Sequence, residues 1–161
     1  MKVSKTKREL VPEGRHSGVL VDVVDLGSKQ TKYGEKEQVS LIWQVDVLGK
    51  DGKRLTIGRI YTKSINEGAA LGQAITQWIG LRDDEVELDH LIGTACELVV
   101  SHTQREGKVY DNVMNVFPFP RDGMPLKPNG YVRKAVPDFG SDAGRAAAER
   151  LLASVDAGRA A

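Results

Sequence analysis

The chain holds one cysteine, Cys96, in 161 residues, so no internal disulfide can form. The thiol sits in the apolar run from Ala95 to Val100, where a free buried sulfur is the simplest reading. The three histidines, His16, His90 and His102, share no paired ligand spacing with it, which argues against a structural zinc site. No apolar stretch approaches the roughly 20 residues of a membrane span. The basic start, Met1 to Arg8, leads into neither an apolar segment nor a small-residue cleavage site, so a cytoplasmic protein without membrane contact is expected. A glycine-rich phosphate loop, a nucleophile elbow and a paired-histidine motif are all missing. The expectation is a non-enzyme with no cofactor.

Net charge is only +1, yet it is unevenly spread. Residues 50 to 63 carry Lys50, Lys53, Arg54, Arg59 and Lys63 against Asp51 alone. Residues 82 to 90 carry Asp83, Asp84, Glu85, Glu87 and Asp89 against Arg82 alone. A nearly neutral molecule can thus present one basic face. The acidic cluster invites comparison with a two-metal nuclease site, which needs convergent carboxylates around ions about 3.5 to 4 Å apart. Crowded into one stretch with no partner acids elsewhere, these carboxylates read instead as a solvated helix start.

The composition, 40% hydrophobic and 28% charged, is that of a globular chain, and the length suits one domain with appendages. Ser17 to Leu26 is β-branched and reads as a strand, followed by a polar loop from Gly27 to Lys36. Val39, Leu41, Trp43, Val45 and Val47 alternate on one face of a second strand, which places Trp43 in the core. Gly49-Lys50-Asp51-Gly52 is a hairpin turn into a third strand, Lys53 to Thr62. There Leu55 and Ile57 share a parity that Ile60 breaks. A β-bulge at Gly58 would restore Ile60 to the core and turn Arg54, Thr56, Arg59, Tyr61 and Lys63 outward.

From Ser64 the apolar spacing becomes helical through Ile79, with Ser64 and Glu67 placed as a capping box, Trp78 as a packing residue and Gly80 as the stop. A short turn within residues 83 to 92 precedes Gly93. Two further strands, Thr94 to His102 and Lys108 to Phe117, form a second hairpin. The predicted organisation is a basic segment over 1–12, a domain over 13–117, a proline-rich extended arm over 118–140 and an alanine-rich helix or tail over 141–161. Three strands, a helix and two strands is the order of the OB-fold, so the expected class is all-β with one main helix, a five-stranded OB-type antiparallel barrel.

The succession Thr31-Lys32-Tyr33-Gly34-Glu35-Lys36-Glu37-Gln38-Val39, Ile60-Tyr61-Thr62-Lys63-Ser64, Leu71 to Gly80, Leu91-Ile92-Gly93-Thr94-Ala95-Cys96 and Tyr110-Asp111-Asn112-Val113 resembles phage and prophage proteins of replication and recombination clusters. Members of that group look like OB-fold single-stranded DNA-binding proteins. The resemblance covers about residues 12 to 137 and implies action on single-stranded DNA in a bacterial host cell, with RNA as a related ligand and recombination or replication proteins as partners. An extended arm and a helix too short to stand alone need a surface to rest on, so residues 118 to 155 are expected either to dock on a neighbouring subunit, giving a homo-oligomer, or to be mobile. The chain departs from the general bacterial proteins of this kind by ending Ala157-Gly158-Arg159-Ala160-Ala161 rather than on an acidic tip.

Sequence-independent binding of single strands needs cations for phosphates and aromatic faces for bases. Tyr61 between Arg59 and Lys63 meets both needs if the bulge forms, with Lys53 and Arg54 on the same hairpin. Tyr33 in the first loop has Lys29, Lys32 and Lys36 around it, and Arg105 and Lys108 flank the second hairpin turn beside Tyr110 and His102. The bland alternative for each is a solvated strand face or ordinary turn chemistry. A reading of another class is a protein-interaction adaptor for a recombinase or host-defence partner, using the proline-rich arm and the last helix.

Overall fold

The computed structural model describes Met1, residues 8–81 and residues 83–134. The expectations for the rest of the basic N-terminal segment, for residues 135–140 of the arm and for the C-terminal helix fall outside the described residues.

Five antiparallel strands form one sheet: β1 (Gly14–Thr31), β2 (Gly34–Leu48), β3 (Arg54–Thr62), β4 (Ala95–Arg105) and β5 (Lys108–Pro118), in the order β3-β2-β1-β4-β5. Helix α1 (Ala70–Ile79) lies between β3 and β4 in sequence, and a single 3-10 turn, Leu88–Leu91, precedes β4. The sheet is mostly β structure of the expected order, but β3 and β5 are both edges and exchange no ladder.

The first strand runs longer than its apolar residues suggest. Beyond Leu26 it continues through Lys29, opposite Lys36, to Thr31, opposite Gly34. The expected loop from Gly27 to Lys36 is therefore a two-stranded ribbon that turns at Lys32 and Tyr33. Gly34, at φ +103, takes a conformation that a side chain would resist. Polar residues on both faces of the ribbon left no period-two signal.

β2 and β3 pair in unbroken register from Gln38↔Thr62 to Gln44↔Thr56, so the bulge expected at Gly58 does not form. The irregularity falls instead between Gln44 and Leu48. As a consequence Ile57, Arg59 and Tyr61 share the inner face, and Thr56 and Ile60 share the outer one. Ile60 needs no return to the inner core, because it packs in a second apolar cluster on the outer face with Val19, Val21, Val24, Leu26 and Ile42.

The inner core joins Leu20, Val39, Leu41, Trp43, Val45 and Ile57 to Leu71, Ile75 and Trp78 of the helix and to Leu98, Val113 and Val116 of the second hairpin. Trp43 and Trp78 meet edge to face, with ring centroids 6.5 Å apart. Burying such a ring contributes about 5 kcal/mol at about 25 cal/mol per Å². Trp78 also donates from Nε1 to the Ala95 carbonyl at 2.9 Å, which ties the helix to the start of β4.

The helix starts later than its periodicity suggests. Its N-cap is Ala69, without a side-chain cap, so the expected capping box from Ser64 and Glu67 is not made. Ser64 Oγ instead accepts from the Asn66 amide at 3.2 Å, and Gly68 at φ +81 turns the chain before the first helical residue. Ile65 still packs on the inner core and crosses so close to the helix that a Cβ at Gly72 would lie 3.0 Å from the Ile65 carbonyl oxygen. Gly80, left-handed at φ 71, ends the helix by donating to the Thr76 carbonyl.

Side chains bridge the seam between the two edge strands. Arg8 Nη1 donates to both carboxylate oxygens of Asp111 on β5, at 3.0 and 2.9 Å, and Nη2 donates to the Thr56 carbonyl on β3. The Val11 amide adds a third hydrogen bond to Asp111, at 2.9 Å. Asp111 is fully buried, so it is stable as a carboxylate only with such partners. Arg59 makes a second stitch, donating to the Val113 carbonyl at 3.1 Å.

Candidate nucleic-acid interface

The ribbon brings the first-loop candidates together. Lys29 and Lys36 pair directly across it, and alternation from Gln38 and Ser40 puts both on the outer face. At the tip, Lys32 Nζ lies 5.0 Å from the centre of the Tyr33 ring, whose side is 77% exposed. The Thr31 hydroxyl donates to the Gly34 carbonyl at 2.7 Å and accepts from the Tyr33 amide at 3.2 Å, which holds the tip's shape. The tip thus carries one lysine over an exposed aromatic ring, with the Lys29–Lys36 pair two rungs further along the same ribbon, the kinds of group that base stacking and phosphate contact require.

The third-strand candidates divide, which corrects the expected outward row. Tyr61 is buried on the inner face, with the Arg59 guanidinium 4.7 Å from its ring centre. It is a core residue, and a base cannot stack on it as the fold stands. Arg59 spends its guanidinium on Tyr61 and on the β3/β5 seam. Lys63 is paired with Asp25 at 3.0 Å. Burial raises the Asp25 carboxyl, but hydrogen bonds from the Gly27 amide and from Lys63 together outweigh it and hold the group below its ordinary value of 3.8. Of the row, Arg54 and Thr56 do face outward, and Arg54 Nη1 donates to the Lys127 carbonyl at 2.6 Å. Lys53 is exposed in the turn before β3.

The second hairpin turns through Glu106 and Gly107, both at positive φ, with Arg105 opposite Lys108. Arg105 lies 5.1 Å from the Tyr110 ring centre, and both cations are exposed. His102 is part-buried, with its Nε2 2.7 Å from the Val11 carbonyl oxygen and its Nδ1 3.8 Å from Glu13. β1 pairs with β4 through Gly14 to Val19 and with β2 through Gly18 to Thr31, so the two hairpin tips leave β1 from opposite ends.

What the sequence did not reveal is the seat of the proline-rich arm. Leu126 and Tyr131 pack on the outer apolar cluster of β1, β2 and β3. The Gln44 side chain exchanges two hydrogen bonds with the Asn129 main chain, Nε2 to carbonyl at 2.6 Å and amide to Oε1 at 2.9 Å. Asp22, fully buried, accepts from the Tyr131 hydroxyl at 2.9 Å, Arg133 Nε at 3.2 Å and the Lys134 amide at 2.9 Å. Burial, with the neighbouring Asp22 carboxylate, pushes the Tyr131 hydroxyl well above its ordinary value, so it stays a donor. A trace was present in the sequence: Val19-Leu20-Val21 and Leu41-Ile42-Trp43 are apolar at both parities, as expected of strands covered on two sides.

Beside the arm's end lies a cleft of about 530 Å³, with Val23, Val39, Ile65 and Leu71 at its floor and the Lys63–Asp25 and Arg133–Asp89 pairs on its rim. Among the described residues no group of three or more His, Cys, Asp or Glu side chains is placed to hold a metal ion, and no helix is long and apolar enough to cross a membrane. No protein-family model matches the chain, and no curated protein matches it.

Proposed function

We propose that this chain binds single-stranded DNA, largely without regard to sequence, in phage or mobile-element replication and recombination, and that its five strands curl into a partly open OB-type barrel. The barrel reading is supported by the strand order β3-β2-β1-β4-β5 with the helix between β3 and β4, and by the stitched β3/β5 seam. The observation that carries the binding reading is the ribbon. Two lysines opposed on one face repel each other unless an anion lies between them. A third lysine stands over an exposed tyrosine at the tip. Lys53, Arg54, Arg105 and Lys108 are secondary phosphate contacts, and assembly into a homo-oligomer belongs to the same proposal.

Retention of the full chain on a single-stranded DNA resin, with elution as salt rises, tests the reading, and an RNA resin run alongside settles the preferred polymer. Passage through both resins at low salt contradicts it. A second reading, a protein-interaction adaptor, is favoured by one observation: the outer face already reads an extended peptide through its main chain, as Gln44 does with Asn129. Such an adaptor passes through the resin.

A further inference from the structure

The arm occupies ground that a bound strand would need. Lys29 and Lys36 lie on the outer face, and Ser40, four residues along β2 from Lys36, is about 13 Å away at the rise of an extended strand. From Ser40 the same face continues through Ile42 to Gln44, with Arg54 and Thr56 beside it on β3. A single strand that starts at the ribbon lysines and follows this face toward Arg54 meets Leu126, Asn129 and Tyr131 on the way.

What the arm places there has the chemistry of a nucleotide strand. The Tyr131 ring packs on the apolar cluster around Ile42 and Ile60 while its hydroxyl donates to Asp22. A stacked base offers a comparable flat face, and its exocyclic amino group donates to a carboxylate in the same way. The Asn129 peptide presents a donor and an acceptor side by side to the Gln44 amide, the bidentate pattern by which glutamine also reads an adenine edge. The fit of the arm is incomplete, for Ser40 Oγ is buried on this face with no hydrogen-bond partner among the described residues. The face thus holds one more polar group than the arm satisfies.

The geometry points to residues 126–134 as an internal strand mimic that competes with single-stranded nucleic acid for the outer face of β1, β2 and β3. This rests on the proposed single-strand binding and adds its regulation. With the arm seated, a strand entering at the ribbon stops short of the outer face; with the arm displaced, it runs on across Ser40, Ile42 and Gln44. The apparent affinity for a long strand is then reduced by the fraction of time the arm is seated.

Gly130 supplies a variant that changes no charge and no aromatic ring. It sits at φ +72 with open space where a Cβ would go, so Gly130→Val strains the seated arm through its backbone alone. If the arm competes, the full-length Gly130→Val protein binds an oligonucleotide of about 16 residues about tenfold more tightly than the unmodified chain. In the unmodified chain a saturating oligonucleotide speeds hydrogen exchange at the Asn129 and Lys134 amides, which the seated arm uses as donors to Gln44 and Asp22. Binding that is weaker or unchanged in Gly130→Val, with these amides still protected, overturns the competition and leaves single-strand binding standing. A chain that binds no oligonucleotide, as itself or as Gly130→Val, removes the binding reading and the competition with it.

Discussion

Lys29 and Lys36 stand directly opposite each other across the β1–β2 ribbon. Like charges so placed destabilise a free hairpin by about 0.2 to 1 kcal/mol, and an anion between them reverses the sign. Lys36→Glu is expected to raise thermal stability slightly at low salt while weakening single-strand binding. Melting curves and titrations on the same preparation check this. A variant that loses stability and binding together would show that the lysine serves the fold.

The two tyrosines once paired in expectation now have opposite roles. Tyr33, exposed at the ribbon tip, should lose about 1 to 3 kcal/mol of binding on Tyr33→Ala with no change in unfolding midpoint. Tyr61, 2% exposed, should cost about 3 to 5 kcal/mol of stability on Tyr61→Ala, like other buried aromatic truncations. Urea unfolding beside oligonucleotide titration separates the two effects.

Asp25 and Lys63 set a small acid-sensitive term. The folded Asp25 carboxyl lies below its ordinary 3.8, so its contribution is present above that value and fades as pH falls through the folded value. Lys63, raised by its hydrogen bond to Asp25, keeps its charge well above neutral pH and holds the pair together there. Lys63→Met should therefore move the Asp25 titration upward, as followed by carboxyl NMR. An unmoved titration would mean that the pair does not form in solution.

Arg8 links the two edge strands through Asp111 on β5 and the Thr56 carbonyl on β3. Arg8→Ala leaves a fully buried carboxylate with only the Val11 amide, at a cost of about 3 kcal/mol. Arg8→Ala with Asp111→Asn should recover part of that loss, because the second change removes the stranded charge. Chemical denaturation of the single and double variants measures the difference. Equal stability of Arg8→Ala and the unmodified chain would show that the seam needs no such tie.

The hairpins, the helix and the burial of Trp43, Trp78 and Cys96 were legible because each follows a local period or a turn signal. The parity of β3 is ambiguous in the sequence for a physical reason: Ile57 faces the inner core and Ile60 the outer cluster, so apolar residues of both parities are buried without a bulge. The ribbon has the sequence of a loop because exposed strands carry no apolar alternation. The Arg8 stitch joins residues 103 positions apart, and the Asp22 contacts of the arm span 109 to 112 positions, so neither had a local signature. The lysines of the ribbon were legible as a cluster, and their opposition on one face was not.

The salt dependence of single-strand binding tests the account most directly. With Lys29, Lys32 and Lys36 as the main phosphate contacts, log affinity against log salt should fall with a slope of roughly −2, at about −0.7 per contact. Replacing all three by alanine should make the slope shallower by about two units and lower affinity sharply at physiological salt, with the protein still folded. The same slope and affinity in that variant would contradict the ribbon as the binding site.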